Sequence, residues 1–218
     1  MKTRNVLLGI CFILFTSCVV KSLHPFYTKE TISFDKNFIG DWRDSKNGTW
    51  KVVSFISEMT KDNPVAKMKE DDLKIYKEYK NSYYILREFE GKKVLFIATP
   101  FKINHQKFLD FFPLDHQEDI DNLLESHSVY THSLVKYDVQ KNGEIEIKWL
   151  DEDKIKTLFK EQKIKIKHET FGLINEDYLL TANSKELQKF VEKYMASADV
   201  EKWETSTQFT LHKVNARN

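Results

Sequence analysis

Cysteine is nearly absent from this sequence of 218 residues, which contains only Cys11 and Cys18. Because neither lies beyond position 18, the rest of the chain has no internal disulfide and no cysteine pair for structural zinc. Glycine and proline are also scarce, with six and four residues, and neither is concentrated in one stretch. Linkers are usually rich in these residues, and no internal repeat is present, so the sequence predicts one globular domain.

An excess of one charge is also absent. The chain has 34 Lys and Arg residues against 33 Asp and Glu residues, and removing Lys2 and Arg4 leaves 32 against 33. This balance gives no electrostatic basis for binding nucleic acid or for holding anionic lipid through a polybasic patch. Hydrophobic residues make up 41% and aromatic residues 13% of the chain. A disordered chain is therefore excluded.

The amino terminus has the layout of a secretion signal, with Lys2 and Arg4 ahead of an apolar run over residues 6–15. The run is about ten residues, roughly half of what a helix needs to cross the hydrocarbon core, so no transmembrane anchor is expected. The following Phe15-Thr16-Ser17-Cys18 resembles the lipobox of bacterial lipoproteins. That resemblance implies cleavage before Cys18, a diacylglyceryl thioether on its sulfur and an N-acyl chain such as palmitate on its amine.

These features predict a lipoprotein signal peptide over residues 1–17, a lipid-anchored tether over 18–31 and a single β-rich domain over 32–218. The protein would then be anchored to a bacterial membrane through Cys18 and face the periplasm. An ordinary secretory signal with an incidental cysteine is the alternative. A lone thiol is a liability in an oxidising compartment, whereas a lipidated sulfur is inert, which favours the lipoprotein.

Beyond residue 32 the sequence has the alternation and turn residues of β-hairpins. Turns are expected at Asn47-Gly48, Glu90-Gly91-Lys92 and Asn142-Gly143. The predicted strands cover residues 39–43, 49–56, 83–89, 94–99, 130–139, 144–150, 164–168, 178–181 and 208–214. The fold class predicted from them is mainly β (α+β), an antiparallel meander or barrel-like sheet.

About three helices are expected to flank this sheet. The patterns that predict them are an apolar stripe over residues 115–127, acidic residues ahead of a stripe over 151–160, and a capping box at Asn183 and Glu186 that opens a helix over 184–196. Such stripes pack on a sheet far more often than they bind a cofactor. No cofactor is predicted.

Gly40-Asp41-Trp42 resembles the Gly-x-Trp signature of lipocalins, in which the tryptophan closes the base of the barrel. The alternative is that Trp42 and Trp50 are core partners across the first hairpin, since aromatic pairs stabilise neighbouring strands. Trp42, Trp50 and Trp149 are therefore candidates for either a ligand cavity or the core.

Over nearly its full length the chain is also similar to a loose group of bacterial lipoproteins that have no assigned chemistry, so the resemblance transfers no catalytic residue. The similar stretches are Ser17-Cys18, Phe38-Ile39-Gly40-Asp41-Trp42, Phe108-Leu109-Asp110-Phe111-Phe112-Pro113, Ile166-Lys167-His168-Glu169, Leu179-Leu180-Thr181-Ala182-Asn183 and Glu186-Leu187-Gln188-Lys189-Phe190.

Histidine is the residue type most able to supply base or metal-ligand chemistry here, and His116, His127 and His132 lie within seventeen positions. None has the His-Glu-x-x-His spacing of a zinc helix, and no nucleophile elbow, phosphate loop or dinucleotide motif occurs. These three are weak metal candidates, and a non-catalytic protein is predicted.

Two functions remain open from the sequence. In the first, the protein is a membrane-anchored component of the cell envelope that contacts other envelope proteins or has a structural role. In the second, the β-body binds a small apolar ligand as lipocalins do. A cavity lined by aromatic residues would favour the ligand, whereas a solid core with an exposed apolar patch would favour a protein partner.

Overall fold

The computed structural model describes residues 19–62, 64–114, 129–172 and 177–214. Cys18 lies outside the described residues, and so do His116, His127 and the helix predicted over residues 115–127.

Eleven strands and four α-helices are found in the described residues. The strands are β1 (Lys21–Ser22), β2 (Gly40–Asp44), β3 (Thr49–Ser54), β4 (Tyr83–Phe89), β5 (Lys92–Ile103), β6 (Gln106–Leu114), β7 (His132–Val139), β8 (Ile145–Trp149), β9 (His168–Phe171), β10 (Asp177–Leu180) and β11 (Gln208–Lys213). The helices are α1 (Phe55–Met59), α2 (Glu70–Tyr79), α3 (Glu152–Lys160) and α4 (Ser184–Ala196), and 3-10 turns cover Lys29–Thr31, Lys36–Phe38 and Val65–Lys67.

Eight strands close into an antiparallel barrel in the order β2, β3, β4, β5, β6, β7, β8, β11. The ring is completed where β11 returns to β2, with Leu211 opposite Asp44, and where β6 pairs with β7, with Leu109 opposite Val135. Three short strands extend the sheet from β7: β1 pairs antiparallel with β7 and parallel with β10, which pairs with β9. The predicted mainly β, barrel-like fold with flanking helices is confirmed.

The predicted hairpin turns follow from local backbone chemistry. Asn47 has φ of 68°, and Gly91 and Gly143 have φ of 75° and 86°, all in the left-handed region that these residue types tolerate best. Gly48 is required for a different reason, since a Cβ there would lie 2.5 Å from Oδ2 of Asp44. All three predicted hairpins are found.

Other elements differ from the prediction. The strand expected over residues 164–168 is wrong, because β9 begins only at His168 and residues 163–167 have no strand partner among the described residues. Strands β1 and β6 and helices α1 and α2 were not predicted. Helix α2 has no fully buried residue; Leu73, Tyr76 and Tyr79 are half-buried, and Tyr79 packs on Phe55 of α1.

The barrel interior is filled with side chains that alternate with outward-facing residues on all eight strands. Its core consists of Phe38, Trp42, Trp50, Val52, Tyr83, Ile85, Ala98, Leu109, Phe111, Val135, Tyr137, Ile145, Ile147, Trp149 and Leu211. Rings contact one another throughout: Phe38 packs 5.7 Å from Tyr137, and Phe111 packs 5.0 Å from Trp149, measured between ring centroids. A small barrel of about eight strands is just wide enough for such filling.

A second core lies outside the barrel, where α3, α4 and the amino-terminal segment (residues 19–31) cover one outer face. It includes Phe26, Phe101, Phe108, Leu134, Leu180, Leu187, Phe190, Val191, Tyr194 and Trp203. The amino-terminal segment is part of this packing: Val19 bridges Asp151, and the amide of Val20 donates to the carbonyl of Leu150. The chain is thus integrated into the domain from its first described residue.

Asp44 is a buried carboxylate that ties the first hairpin to β4. Its oxygens accept hydrogen bonds from the Trp50 indole at 2.8 Å and the Gly48 amide at 2.8 Å, and the Arg87 guanidinium lies 2.9 Å away. Burial raises the pKa of Asp44, but the hydrogen bonds from Trp50, Gly48, Lys46 and Arg87 outweigh it and hold this pKa below its usual value.

We expect Asp44→Asn to lower the free energy of unfolding by about 2–3 kcal/mol at pH 7, because an amide nitrogen would face buried donors. The lowered pKa means that this stabilisation is complete above the unfolded-state value of about 3.9 and is lost as the pH falls through the folded-state value. Urea denaturation between pH 3 and 7 measures both effects. Asp41→Asn, on the exposed face of the same strand, is the control; equal stability of the two variants would contradict the assignment.

Candidate functional site

His132, the one described member of the three candidate histidines, lies on the outer barrel face beside Asp110. Its Nδ1 is 2.6 Å from Oδ1 of Asp110, and its ring centroid is 4.8 Å from that of Phe112. Asp110 is buried, and its Oδ2 accepts a hydrogen bond of 2.7 Å from the backbone amide of Phe26. Burial raises the pKa of the Asp110 carboxyl. The hydrogen bond and the charge of His132 act in the opposite direction but do not cancel this rise.

The Asp110–His132 pair holds the amino-terminal segment on the barrel, because it binds the amide of Phe26. Within the described ranges, no three His, Cys, Asp or Glu residues are grouped so that they could hold a metal ion. His116 and His127 lie outside these ranges, so the grouping of the three histidines stays a prediction.

Removing the Asp110 carboxylate should therefore loosen the amino-terminal segment. We expect Asp110→Ala to lower the free energy of unfolding by about 3 kcal/mol, because the Phe26 amide and the His132 ring lose a buried acceptor. Hydrogen exchange should also become faster at the Phe26 amide. Asp138→Ala, on a half-buried carboxylate of β7, is the control. Unchanged exchange at Phe26 would show that Asp110 does not hold this segment.

The three candidate tryptophans all lie in the barrel interior. The Trp42 indole donates to the Phe38 carbonyl at 3.0 Å, and the Trp149 indole donates to Oγ of Ser133 at 3.2 Å. Trp42 lies directly opposite Trp50 in the β2–β3 register. Lys213 of the last barrel strand places its Nζ 5.3 Å from the centre of the Trp42 ring. These residues therefore fill the space that an internal ligand would occupy.

One cavity bounded by described residues lies outside the barrel. It is an open groove of about 910 Å³ between residues 162–167 and helix α4, which we call the α4 groove. Its volume is in the range typical of small-molecule sites. Five side chains form its apolar part: Leu158, Ile164, Ile166, Phe190 and Tyr194.

Helix α4 forms one wall of the groove and is fixed at its start by a capping box. Asn183 accepts a hydrogen bond from the Glu186 amide at 3.1 Å, and Glu186 accepts one from the Asn183 amide at the same distance. Phe190 and Tyr194 are then buried against the outer core, one turn apart, and the hydroxyl of Tyr194 donates to the carbonyl of Lys202. Lys189 and Lys193 precede these two aromatics and line the groove.

The opposite wall is the segment of residues 163–167, which follows a left-handed residue, Gln162 with φ of 56°. Its side chains alternate: Ile164 and Ile166 are half-buried against the outer core, and the three lysines between and beside them are exposed. The segment is held at its ends, where the Lys163 amide donates to the Leu158 carbonyl and the Thr181 amide donates to the Lys167 carbonyl.

Between these two contacts the backbone is largely without partners. Within the described part of the chain, the amides of Ile164, Lys165 and Ile166 donate no hydrogen bond, and the Ile166 carbonyl accepts one from Nδ1 of His168 at 2.8 Å. The segment therefore has the side-chain alternation of a strand and retains unused strand-pairing groups.

Positive charge predominates around the groove. Its lining contains five lysines, namely Lys163, Lys165, Lys167, Lys189 and Lys193, against two carboxylates, Glu186 and Asp199. Both carboxylates already lie near a lysine, since Glu186 is 3.7 Å from Lys167 and Asp199 is 3.5 Å from Lys154. Considering the described residues alone, Lys165, Lys189 and Lys193 have no carboxylate within 4.0 Å.

The sequence did not predict this groove. The strand predicted over residues 164–168 has the expected alternation, with Ile164 and Ile166 half-buried against the outer core, but residues 164–167 have no strand partner among the described residues. The sequence does show two lysine-rich stretches, the alternating residues 163–167 and the helix over 184–196. That they lie side by side depends on the tertiary fold and could not be predicted from the sequence.

Comparison with known proteins adds no relative: no family model, no curated protein and no solved structure matches this chain. None of the described helices combines the length and apolar character needed to cross a membrane. The class that the fold and the site define is thus an eight-stranded antiparallel barrel with a filled interior and an external lysine-lined groove.

Proposed function

We propose that this protein is a non-catalytic binding component of the bacterial cell envelope, anchored to a membrane by lipid on Cys18. It binds its partner in the α4 groove on the outside of the barrel. The observation that carries this proposal is the contrast between the two spaces: aromatic rings fill the interior, while the groove outside is open, has an apolar floor and is lined by lysines.

Membrane anchoring rests on the amino-terminal sequence, and the packing of the next residues is consistent with it. Consecutive Cα atoms are about 3.8 Å apart, so Cys18 adjoins Val19, which is bonded into the domain beside Asp151. Lipid on Cys18 would thus hold the domain against the bilayer with almost no spacer. Two or three acyl chains provide stable attachment at about 0.8 kcal/mol per buried methylene.

Internal binding of a small apolar ligand, as in lipocalins, is the second candidate function, and the closed barrel favours it. A ligand inside would have to displace rings such as Phe38 and Phe111, which are 1% and 0% exposed. Displacing such packing is costly, because core substitutions of aromatic residues typically change stability by 3–5 kcal/mol. The external groove requires no such rearrangement and is the preferred site.

Intact mass of the membrane-extracted protein tests the anchor. The wild-type chain should begin at Cys18 and carry the mass of two or three acyl chains, and it should be recovered in the membrane fraction. Cys18→Ala should retain residues 1–17 and carry no acyl mass. Cys11→Ala is the matched control and should behave as the wild type. A wild-type chain that begins at Met1 with an unmodified Cys18 thiol would contradict the anchor.

Anilinonaphthalene sulfonate, an anionic apolar probe, distinguishes the α4 groove from the barrel interior as the binding site. We expect its fluorescence titration to be weakened roughly tenfold by Lys189→Glu combined with Lys193→Glu, because each reversal costs about 1 kcal/mol or less at a surface site. Phe38→Leu, a change in the interior, should leave the titration unaltered. The reverse pattern would favour the internal ligand and contradict the groove.

A further inference from the structure

We propose that the α4 groove binds an extended, acidic peptide segment of a partner protein, which adds as a strand beside residues 163–167. This proposal deepens the proposed function and rests on its claim that the groove is the binding site. The peptide supplies main-chain hydrogen bonds to the unpaired segment, carboxylates to the lysines, and apolar side chains to the floor.

The backbone of residues 163–167 is the first reason for this choice. Its side chains alternate as in a strand, and it leads directly into β9, which already pairs with β10 from His168 onward. The amides of Ile164, Lys165 and Ile166 have no partner among the described residues. An exposed row of unpaired backbone groups is a template for strand addition, and a small-molecule ligand would leave most of it unused.

The dimensions of the groove are the second reason. On the α4 side, the lining runs from Glu186 to Ser197, the residue that follows the helix, a length of about 16 Å at 1.5 Å per helical residue. An extended chain rises about 3.3 Å per residue, so a peptide of about five residues matches this wall. The opposite wall, residues 163–167, also has five residues.

Charge complementarity identifies the partner as acidic. Five lysines face two carboxylates in the groove lining, and Lys165, Lys189 and Lys193 have no carboxylate nearby within the described chain. On both walls each of these lysines is adjacent in sequence to an apolar lining residue, as in Ile164-Lys165-Ile166, Lys189-Phe190 and Lys193-Tyr194, so an occupant needs both acidic and apolar groups. Because successive residues of a strand point to opposite sides, a peptide that alternates acidic and apolar residues meets both requirements.

The test uses the full-length protein in detergent and a fluorescein-labelled hexapeptide that alternates Glu and Leu, read by fluorescence anisotropy. We expect saturable binding that weakens with added salt. Lys189→Glu with Lys193→Glu should raise the dissociation constant roughly tenfold or more, since each change replaces an attraction by a repulsion. Lys92→Glu with Lys141→Glu, on hairpins outside the groove lining, is the matched control and should bind as the wild type.

Two peptide analogues test the mode of binding without altering the protein. Methylation of alternate peptide nitrogens removes donors for strand pairing and should abolish binding; retained binding would overturn strand addition. A hexapeptide that alternates Lys and Leu should not bind, and equal binding would overturn the charge assignment. Stronger hydrogen-exchange protection at the amides of residues 164–166 on binding would support strand addition directly.

Laurate, an anionic lipid chain without peptide groups, separates the two levels of the proposal. If laurate occupies the groove and the acidic peptide does not, the peptide partner is wrong and the groove remains the binding site. If Lys189→Glu with Lys193→Glu changes the binding of neither laurate nor the peptide, the proposal that the groove is the binding site is contradicted.

Discussion

Trp42 and Trp50 face each other across the first hairpin of the barrel, and rings from the opposite strands, such as Phe111 and Tyr137, complete the filling of its interior. Aromatic contacts of this kind add to the free energy gained by burial and leave little freedom to rearrange. The barrel is therefore a packed scaffold, and binding surfaces are available mainly on its outside. The position of the α4 groove follows from this constraint, because one outer face is itself covered by a second core that supports α4.

Three aspartates link parts of the chain that are distant in sequence. Asp44 fixes the first hairpin to Arg87, and Asp110 fixes the amino-terminal segment through the Phe26 amide. Asp35 lies 2.7 Å from Nζ of Lys107, and its carbonyl accepts a hydrogen bond from Tyr83 in the barrel. Each carboxylate forms contacts distant in sequence, so stability here depends on a few polar residues as well as on the cores. Three lysines of the groove, Lys165, Lys189 and Lys193, form no comparable ion pair, because no carboxylate of the described residues lies within 4.0 Å of them.

The features that sequence reasoning predicted correctly are those set by local chemistry. Asn-Gly turns and the Asn183–Glu186 capping box act within a few residues, so the hairpins and α4 could be recognised. Strand β6 was not predicted. It contains Pro113, which is unusual in a strand and is tolerated here since β7 pairs only with Phe108 to Phe111. The groove depends on the approach of residues 163–167 to α4, which is a tertiary contact. Its lysines were visible in the sequence, but their proximity was not.

The four tryptophan indoles provide the most direct test of the central claim, that partners bind outside a filled barrel. Three of them lie in the interior, and the fourth, Trp203, packs 6.0 Å from Tyr194 beside the groove and donates to Sδ of Met195. In a nitrogen-15 NMR titration with the acidic peptide, we expect the indole resonance of Trp203 to shift while those of Trp42, Trp50 and Trp149 stay in place. Shifts of the three interior resonances with Trp203 unchanged would contradict the claim and place the ligand inside the barrel.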